Sequence, residues 1–170
     1  GDLAAIVAGL GPGPFTGLRV GLVTAASMGQ ALGIPTYGVC SLDAVGHAAR
    51  GEDGEVLVAT DARRREVYWA LYRHGRRTTP PAVDRPADLR LPAGVVAAVG
   101  DGALRYADVL RDASGAALPV RDEPRYPPAA SLAALAAPRV LADANSEELT
   151  PLYLRRPDAV EPAARKTVLP

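Results

Sequence analysis

The strongest constraint on this chain is its first forty residues. Residues 4–10, Ala-Ala-Ile-Val-Ala-Gly-Leu, form a short continuous apolar run, the mark of a strand buried on both faces. A loop of Gly11-Pro-Gly-Pro-Phe15 follows, and Thr16 can cap a helix running from about Gly17 to Leu32. Gly33 suits the left-handed stop position, with Pro35 just beyond it. Thr36-Tyr-Gly-Val-Cys40 then reads as a second strand. Strand, helix and strand over this span make a βαβ unit, so the two strands should be parallel with a right-handed crossover. Ser41 is placed to cap a short helix through His47 and Ala49. The fold class is therefore α/β.

Two parallel strands make only half a sheet, and so apolar a pair is normally covered by further strands. The chain also opens at Gly1-Asp2-Leu3, without methionine and close to the apolar run. It is therefore expected to be a fragment. The turn-rich Gly51-Glu-Asp-Gly54 marks a boundary between a piece at 1–50 and a second at 51–170. In the second piece, residues 55–61 and 66–72 read as a hairpin around 62–65. Residues 79–92 are proline-rich and expected as mostly loop, 94–100 as a buried strand, 103–111 as a helix, and 131–143 as a helix interrupted or kinked at Pro138. From Asp158 onward no periodicity is visible.

Composition removes several classes of function. The 170 residues carry 19 basic and 19 acidic side chains, which argues against an electrostatically driven nucleic-acid or membrane binder, local patches aside. A hydrophobic fraction of 48% excludes wholesale disorder. The single cysteine, Cys40, excludes a disulfide framework and a cysteine zinc cage, and it fits a reducing cytoplasm. No stretch approaches the roughly 20 apolar residues of a membrane span.

The glycine-rich loop sits where phosphates bind in α/β folds. Yet no Gly-Lys-Ser/Thr triplet follows it, and Pro14 stands where a dinucleotide fingerprint needs glycine. Pro12 and Pro14 also remove two backbone donors. Small residues recur at Gly17, Gly21, Ala25, Gly29 and Gly33, a flat helix ridge that suits close packing. Taken alone, packing inside the domain is favoured slightly over a subunit interface. Arg19 stands in the first helical turn, where the helix dipole disfavours a cation, so it should meet an anion or a carboxylate. His47 and His74 have no helical metal-pair spacing, and neither Ser27 nor Ser41 lies in a nucleophile elbow. Asp61, at a strand end, has the place of a general base or metal ligand, although such an Asp more often caps the hairpin turn. Arg63-Arg64-Arg65, Arg76-Arg77 and Arg155-Arg156 offer charges that could touch RNA phosphates, while overall neutrality favours reading them as solvated faces. No catalytic set and no metal set assembles.

Gly11-Pro-Gly-Pro-Phe-Thr-Gly-Leu-Arg-Val-Gly21 closely resembles the signature of the TsaB (YeaZ) family, linked in bacteria to threonylcarbamoyladenosine (t6A) on tRNA. Ser41-Leu-Asp-Ala44, residues 61–70 (Asp-Ala-Arg-Arg-Arg-Glu-Val-Tyr-Trp-Ala) and Pro151-Leu-Tyr-Leu-Arg155 resemble further segments of that family in the same order. Pro14, where serine is common, and Arg65, where the hairpin often has glycine, are the departures. The resemblance implies an actin-like ATPase (ASKHA, ribonuclease H-like) fold of two lobes, the first lacking its opening strands and first helix. It carries motif roles onto Gly11, Pro12, Gly13, Arg19, Asp61, Arg63, Glu66, Tyr68, Tyr153 and Arg155. It implies a non-catalytic subunit, because the His-x-x-x-His metal motif of TsaD-type transferases is missing. The implied partners are a TsaD-type transferase, a TsaE-type ATPase and a second copy of the chain, with tRNA met only indirectly and no membrane. The first-lobe helix would supply the interface, through Phe15, Thr16, Gly17, Gly21, Ala25, Met28 and Gly29. No cofactor is expected in the chain itself, the partner interface being the place for ATP or ADP. Two other classes stay open. One is a nucleotide-binding enzyme of the same superfold, with Asp61 and Asp101 as strand-end acids. The other is a glycopeptidase-type peptidase.

Overall fold

The computed structural model describes residues 2–155. Strand β1 (Ile6–Gly9) pairs in parallel with β2 (Thr36–Val39), Ile6 facing Thr36 and Gly9 facing Val39. Helix α1 (Phe15–Leu32) makes the crossover between them and ends at Gly33, which holds φ 64° and ψ 31°. The βαβ reading therefore holds, but its start is different. Pro14 occupies the cap position without any side-chain cap bond, and Thr16 is already helical. Proline before a helix presets φ and removes one of the unpaired N–H groups at the helix start. Likewise Ser41 opens helix α2 (Ser41–Ala48) rather than capping it, the cap position falling to Cys40.

The second sheet is larger and mixed. Strand β3 (Glu55–Asp61) runs antiparallel to β4 (Val67–Arg73) and parallel to β7 (Val95–Val99). The outer edge of β4 carries two short strands, β5 (Arg76–Arg77) and β6 (Ala82–Asp84). The proline-rich 79–92 stretch is mostly loop, as expected, with a three-residue edge strand and a short 3₁₀ turn at Pro86–Asp88 within it. Helix α3 is also displaced. It spans Asp101–Arg105 and stops there, instead of running from 103 to 111. Its position is set by Gly100, at φ 106°, where a Cβ would stand 2.2 Å from the Ala59 carbonyl oxygen. Only glycine lets the turn approach β3 so closely.

Alternation along β3 divides the core. Leu57 and Ala59 pack with Leu71, Ala98 and Leu110 on one face. Val56 and Val58 pack with Leu42 and Val45 of α2 on the other. Helix α4 (Ala129–Leu141), with Pro138 inside it, returns to the first sheet. There Ala136, Leu132 and Leu135 cover Tyr37 and Val39. The 51–170 segment is thus not confined to the second sheet. Residues 144–147 then close the free edge of β2. Glu147 N donates to Thr36 O (2.8 Å), Gly38 N donates to Glu147 Oε2 (3.1 Å), and Arg139 bonds both Glu147 and Gly38 O. The stretch from Asp158 onward, in which no periodicity was visible, lies outside the described residues, as do Gly1 and Arg156.

Candidate functional site

Three of the four motif segments, far apart in sequence, meet at one end of the molecule, and Ser41 of the fourth supports them. The loop after β1 is held from two sides: Ser41 N donates to Gly11 O (2.7 Å) and Leu152 N to Leu10 O (2.7 Å). This fixes residues 152–155 across the start of α1. Arg19 Nε donates to Tyr153 Oη at 2.8 Å, and its guanidinium lies 3.9 Å above the Phe15 ring. Phe15 and Tyr153 stack with centroids 5.3 Å apart. Among the described residues, Arg19 is therefore met by a hydroxyl and two aromatic rings rather than by a carboxylate. Aromatic faces and a hydroxyl offset its place in the first turn.

The same strap continues to the β3–β4 turn. Arg155 Nη1 donates to Ala62 O (3.1 Å), and Nη2 bonds Glu66. Asp61, whose side chain is only 8% exposed, accepts from Arg63 N at 3.1 Å, so it caps the turn. Its second oxygen lies 3.4 Å from Arg63 Nη1 and 3.5 Å from Arg105 Nη1. Asp101, placed by Gly100, accepts from Asp61 N (3.2 Å). Arg63, Arg64 and Arg65 all hold positive φ, at 64°, 55° and 62°. Each such non-glycine residue costs on the order of 1 kcal/mol, and strain of this kind gathers at functional sites.

Two cavities share Gly13, Pro14, Asp61 and Arg63 as a common wall. The first, about 500 Å³, is lined by Phe15, Arg19, Tyr68, Tyr153 and Arg155. The second, about 610 Å³, is lined by Thr60, Asp101, Arg105, Arg125 and Tyr126. Every residue given a motif role lies on or beside this pair except Glu66, which holds Arg155 in place. Arg105, Arg125 and Tyr126 were not legible, because nothing in their own sequence neighbourhoods links them to the hairpin. Among the described residues, no group of three or more His, Cys, Asp or Glu could hold a metal ion. Cys40 packs beside the α2 core, and burial, then the Asp43 charge, pushes its thiol pKa up.

The small-residue ridge splits in two. Leu22, Ala25 and Gly29 are the buried residues of α1, and a Cβ on Gly29 would stand 2.5 Å from Thr36 Cγ2. Ala25 and Gly29 therefore turn inward. Gly17 and Gly21 face open space, and Phe15, Thr16 and Met28 are exposed beside them. Val20 (62%), Val23 (65%), Met28 (46%) and Leu32 (53%) leave this helix with a broad bare apolar side. Across α1 the sequence has one charged residue, Arg19.

A family model described as TsaD, tRNA N6-adenosine threonylcarbamoyltransferase, matches residues 1–118. The tRNA threonylcarbamoyladenosine biosynthesis protein TsaB of Escherichia coli is 32% identical, over 91% of this chain and 71% of that protein. The chain belongs to the TsaB family. An uncharacterized protein of Mycobacterium tuberculosis is 50% identical over 93% of this chain and 67% of its own length. Among solved structures, YeaZ from Pseudomonas aeruginosa superposes with a TM-score of 0.72 at 28% identity, covering 89% of this chain and 74% of that one. In this family member the Gly11–Arg19 loop, the Asp61 hairpin and the Tyr153–Arg155 strap form a single constellation. It joins the two sheets at the N-terminal end of α1. No helix among the described residues is long and apolar enough to cross a membrane.

Proposed function

We propose that this chain acts in the formation of threonylcarbamoyladenosine on tRNA as a non-catalytic subunit that docks a TsaD-type transferase through α1. The observation that carries this reading is the bare face of α1. Val20, Val23, Met28 and Leu32 stand exposed on a helix whose sequence holds a single charge. Burying each would contribute about 1.5–3 kcal/mol, enough together to hold a partner helix. Gly21, open on the same helix, lets a partner backbone come near. The names of the TsaB relatives support the pathway. The reading includes an actin-like arrangement of two lobes built on the two sheets, a cytoplasmic setting, a TsaE-type ATPase in the same assembly and self-pairing when the transferase is absent. ATP or ADP would sit at the partner interface.

Reconstitution tests it. A TsaD-type transferase and a TsaE-type ATPase are supplied with tRNA and the threonylcarbamoyl donor, and the modified nucleoside is measured by mass spectrometry. The nucleoside should rise only when this chain is added. Formation unaffected by the chain, or formation by the chain alone, would contradict a supporting role.

A second reading, a nucleotide-binding enzyme, is favoured by Asp61 and Asp101 lining one cavity. Titration with ATP and magnesium decides it: saturable binding abolished by Asp61→Asn supports the enzyme, and no heat of binding removes it.

A further inference from the structure

The chain is neutral overall, yet its arginines are not spread evenly. Around the 610 Å³ groove, Arg63 comes from the β3–β4 turn, Arg105 from the end of α3 and Arg125 from the segment before α4. All three are exposed, the Arg63 side chain by 72%. Arg64 and Arg65 extend the same turn, also exposed. The left-handed backbone of residues 63–65 holds this turn without burying any of the three side chains.

The acids of the groove do not cancel the cluster. Asp61 touches Arg63 and Arg105 with one nitrogen each, at 3.4 and 3.5 Å, and also accepts the Arg63 backbone N–H. Asp101 accepts the Asp61 N–H and keeps its charge, but the three arginines of the lining outnumber its two acids. A guanidinium has five N–H donors in a fixed fork, so these contacts aim the two arginines and leave most donors free. Arg125 lies 5.4 Å from the centre of the Tyr126 ring, and Tyr126 is 58% exposed. An open tyrosine face beside arginines is what unpaired bases stack on. The lining also contains Pro12 and Pro14, which offer no backbone N–H. A free nucleotide held by a loop cradle would need those donors; a polynucleotide met by side chains does not.

We propose that this groove is an RNA-contacting surface, in which Arg63, Arg105 and Arg125 pair with backbone phosphates of an RNA strand and Tyr126 stacks on one of its bases. The proposal rests on the tRNA-modification reading above and goes beyond it, since that reading requires only protein contacts. It also departs from the sequence expectation that the 63–65 run is a solvated face, because Arg105 and Arg125 come beside Arg63 only through the fold.

The test is fluorescence anisotropy of a labelled tRNA transcript titrated with the chain at about 50 and 200 mM salt. Arg63→Glu/Arg105→Glu/Arg125→Glu should weaken binding at least about tenfold and lower the salt slope by about 0.7–0.9 for each phosphate left unpaired. Arg73→Glu/Arg90→Glu, which alters exposed arginines outside the groove, should stay within about twofold of wild type. Tyr126→Ala should weaken binding with the salt slope unchanged. Thermal unfolding confirms that each variant is folded. Three results would overturn the proposal: no RNA binding by wild type, equal weakening in groove and control variants, or full displacement of RNA by ATP or inorganic phosphate at matched phosphate concentration. Each leaves the partner role standing, since association through α1 is measured without RNA.

Discussion

Gly46 and Gly21 are both helical glycines with opposite surroundings. A Cβ on Gly46 would stand 2.2 Å from Cδ1 of Tyr72, a ring wholly buried and bonded through its hydroxyl to Asp43 Oδ1 at 2.7 Å. Gly46→Ala is expected to destabilise the fold by about 1–3 kcal/mol through overpacking. A Cβ on Gly21 meets nothing within 4 Å, so Gly21→Ala should stabilise it by about 1 kcal/mol through helix propensity. Urea unfolding at neutral pH separates the two signs. Tyr72 also predicts an alkaline limb. Burial, then the hydrogen bond and charge of Asp43, raises its pKa far above the usual phenol value. The native state therefore keeps a proton that the unfolded chain loses, and stability falls as pH rises beyond about 10. Tyr72→Phe should flatten that fall. On the acid side, the Gly38 N–H and then Arg139 hold Glu147 below its ordinary 4.5. Its contribution is present above that value and lost as pH falls below it, so Glu147→Gln should flatten the acid limb.

At the scale of elements, the βαβ start was readable because an apolar run, a helix stop and a second strand are local signals. The helix starts differ from the expected ones for a local reason too: Thr16 and Ser41 are good caps by residue type, but Pro14 and Cys40 occupy the cap positions. Strand β6 was hidden because Val83 alone of its three residues favours a strand, and the edge of β4 supports it. Helix α3 starts early because Gly100 brings its first residue onto β3, an approach invisible in sequence. The site divides in the same way. Its motif segments were legible one by one, but the meeting of Arg19 with Tyr153, 134 positions apart, is a product of the fold. The second cavity's Arg105, Arg125 and Tyr126 had no local signal at all. The strap gives this scale its own prediction. Tyr153→Ala removes the stack on Phe15 and the Arg19 bond and should cost about 1–2 kcal/mol. Hydrogen exchange should then quicken in the first turn of α1 and not at its buried Leu22–Gly29 stretch; uniform quickening along the helix would contradict the clamp.

For the whole molecule, the two sheets are not independent bodies. α2 covers the second sheet, α4 covers the first, and the 152–155 strap ties the start of α1 to the β3–β4 hairpin. What this arrangement leaves uncovered is the outer side of α1, an 18-residue helix with a single charge to keep it in water. The small-residue ridge pointed to Ala25 and Gly29, but these are committed inside, and the available surface is built by Val20, Val23, Gly21 and Met28. Calorimetric titration of this chain into a TsaD-type transferase tests that surface most directly. Wild type should bind, while Val20→Glu/Val23→Glu, with unchanged unfolding, should lose at least about a hundredfold in affinity, the loss of roughly 3 kcal/mol of apolar burial. Unchanged affinity in that folded variant would contradict docking through α1.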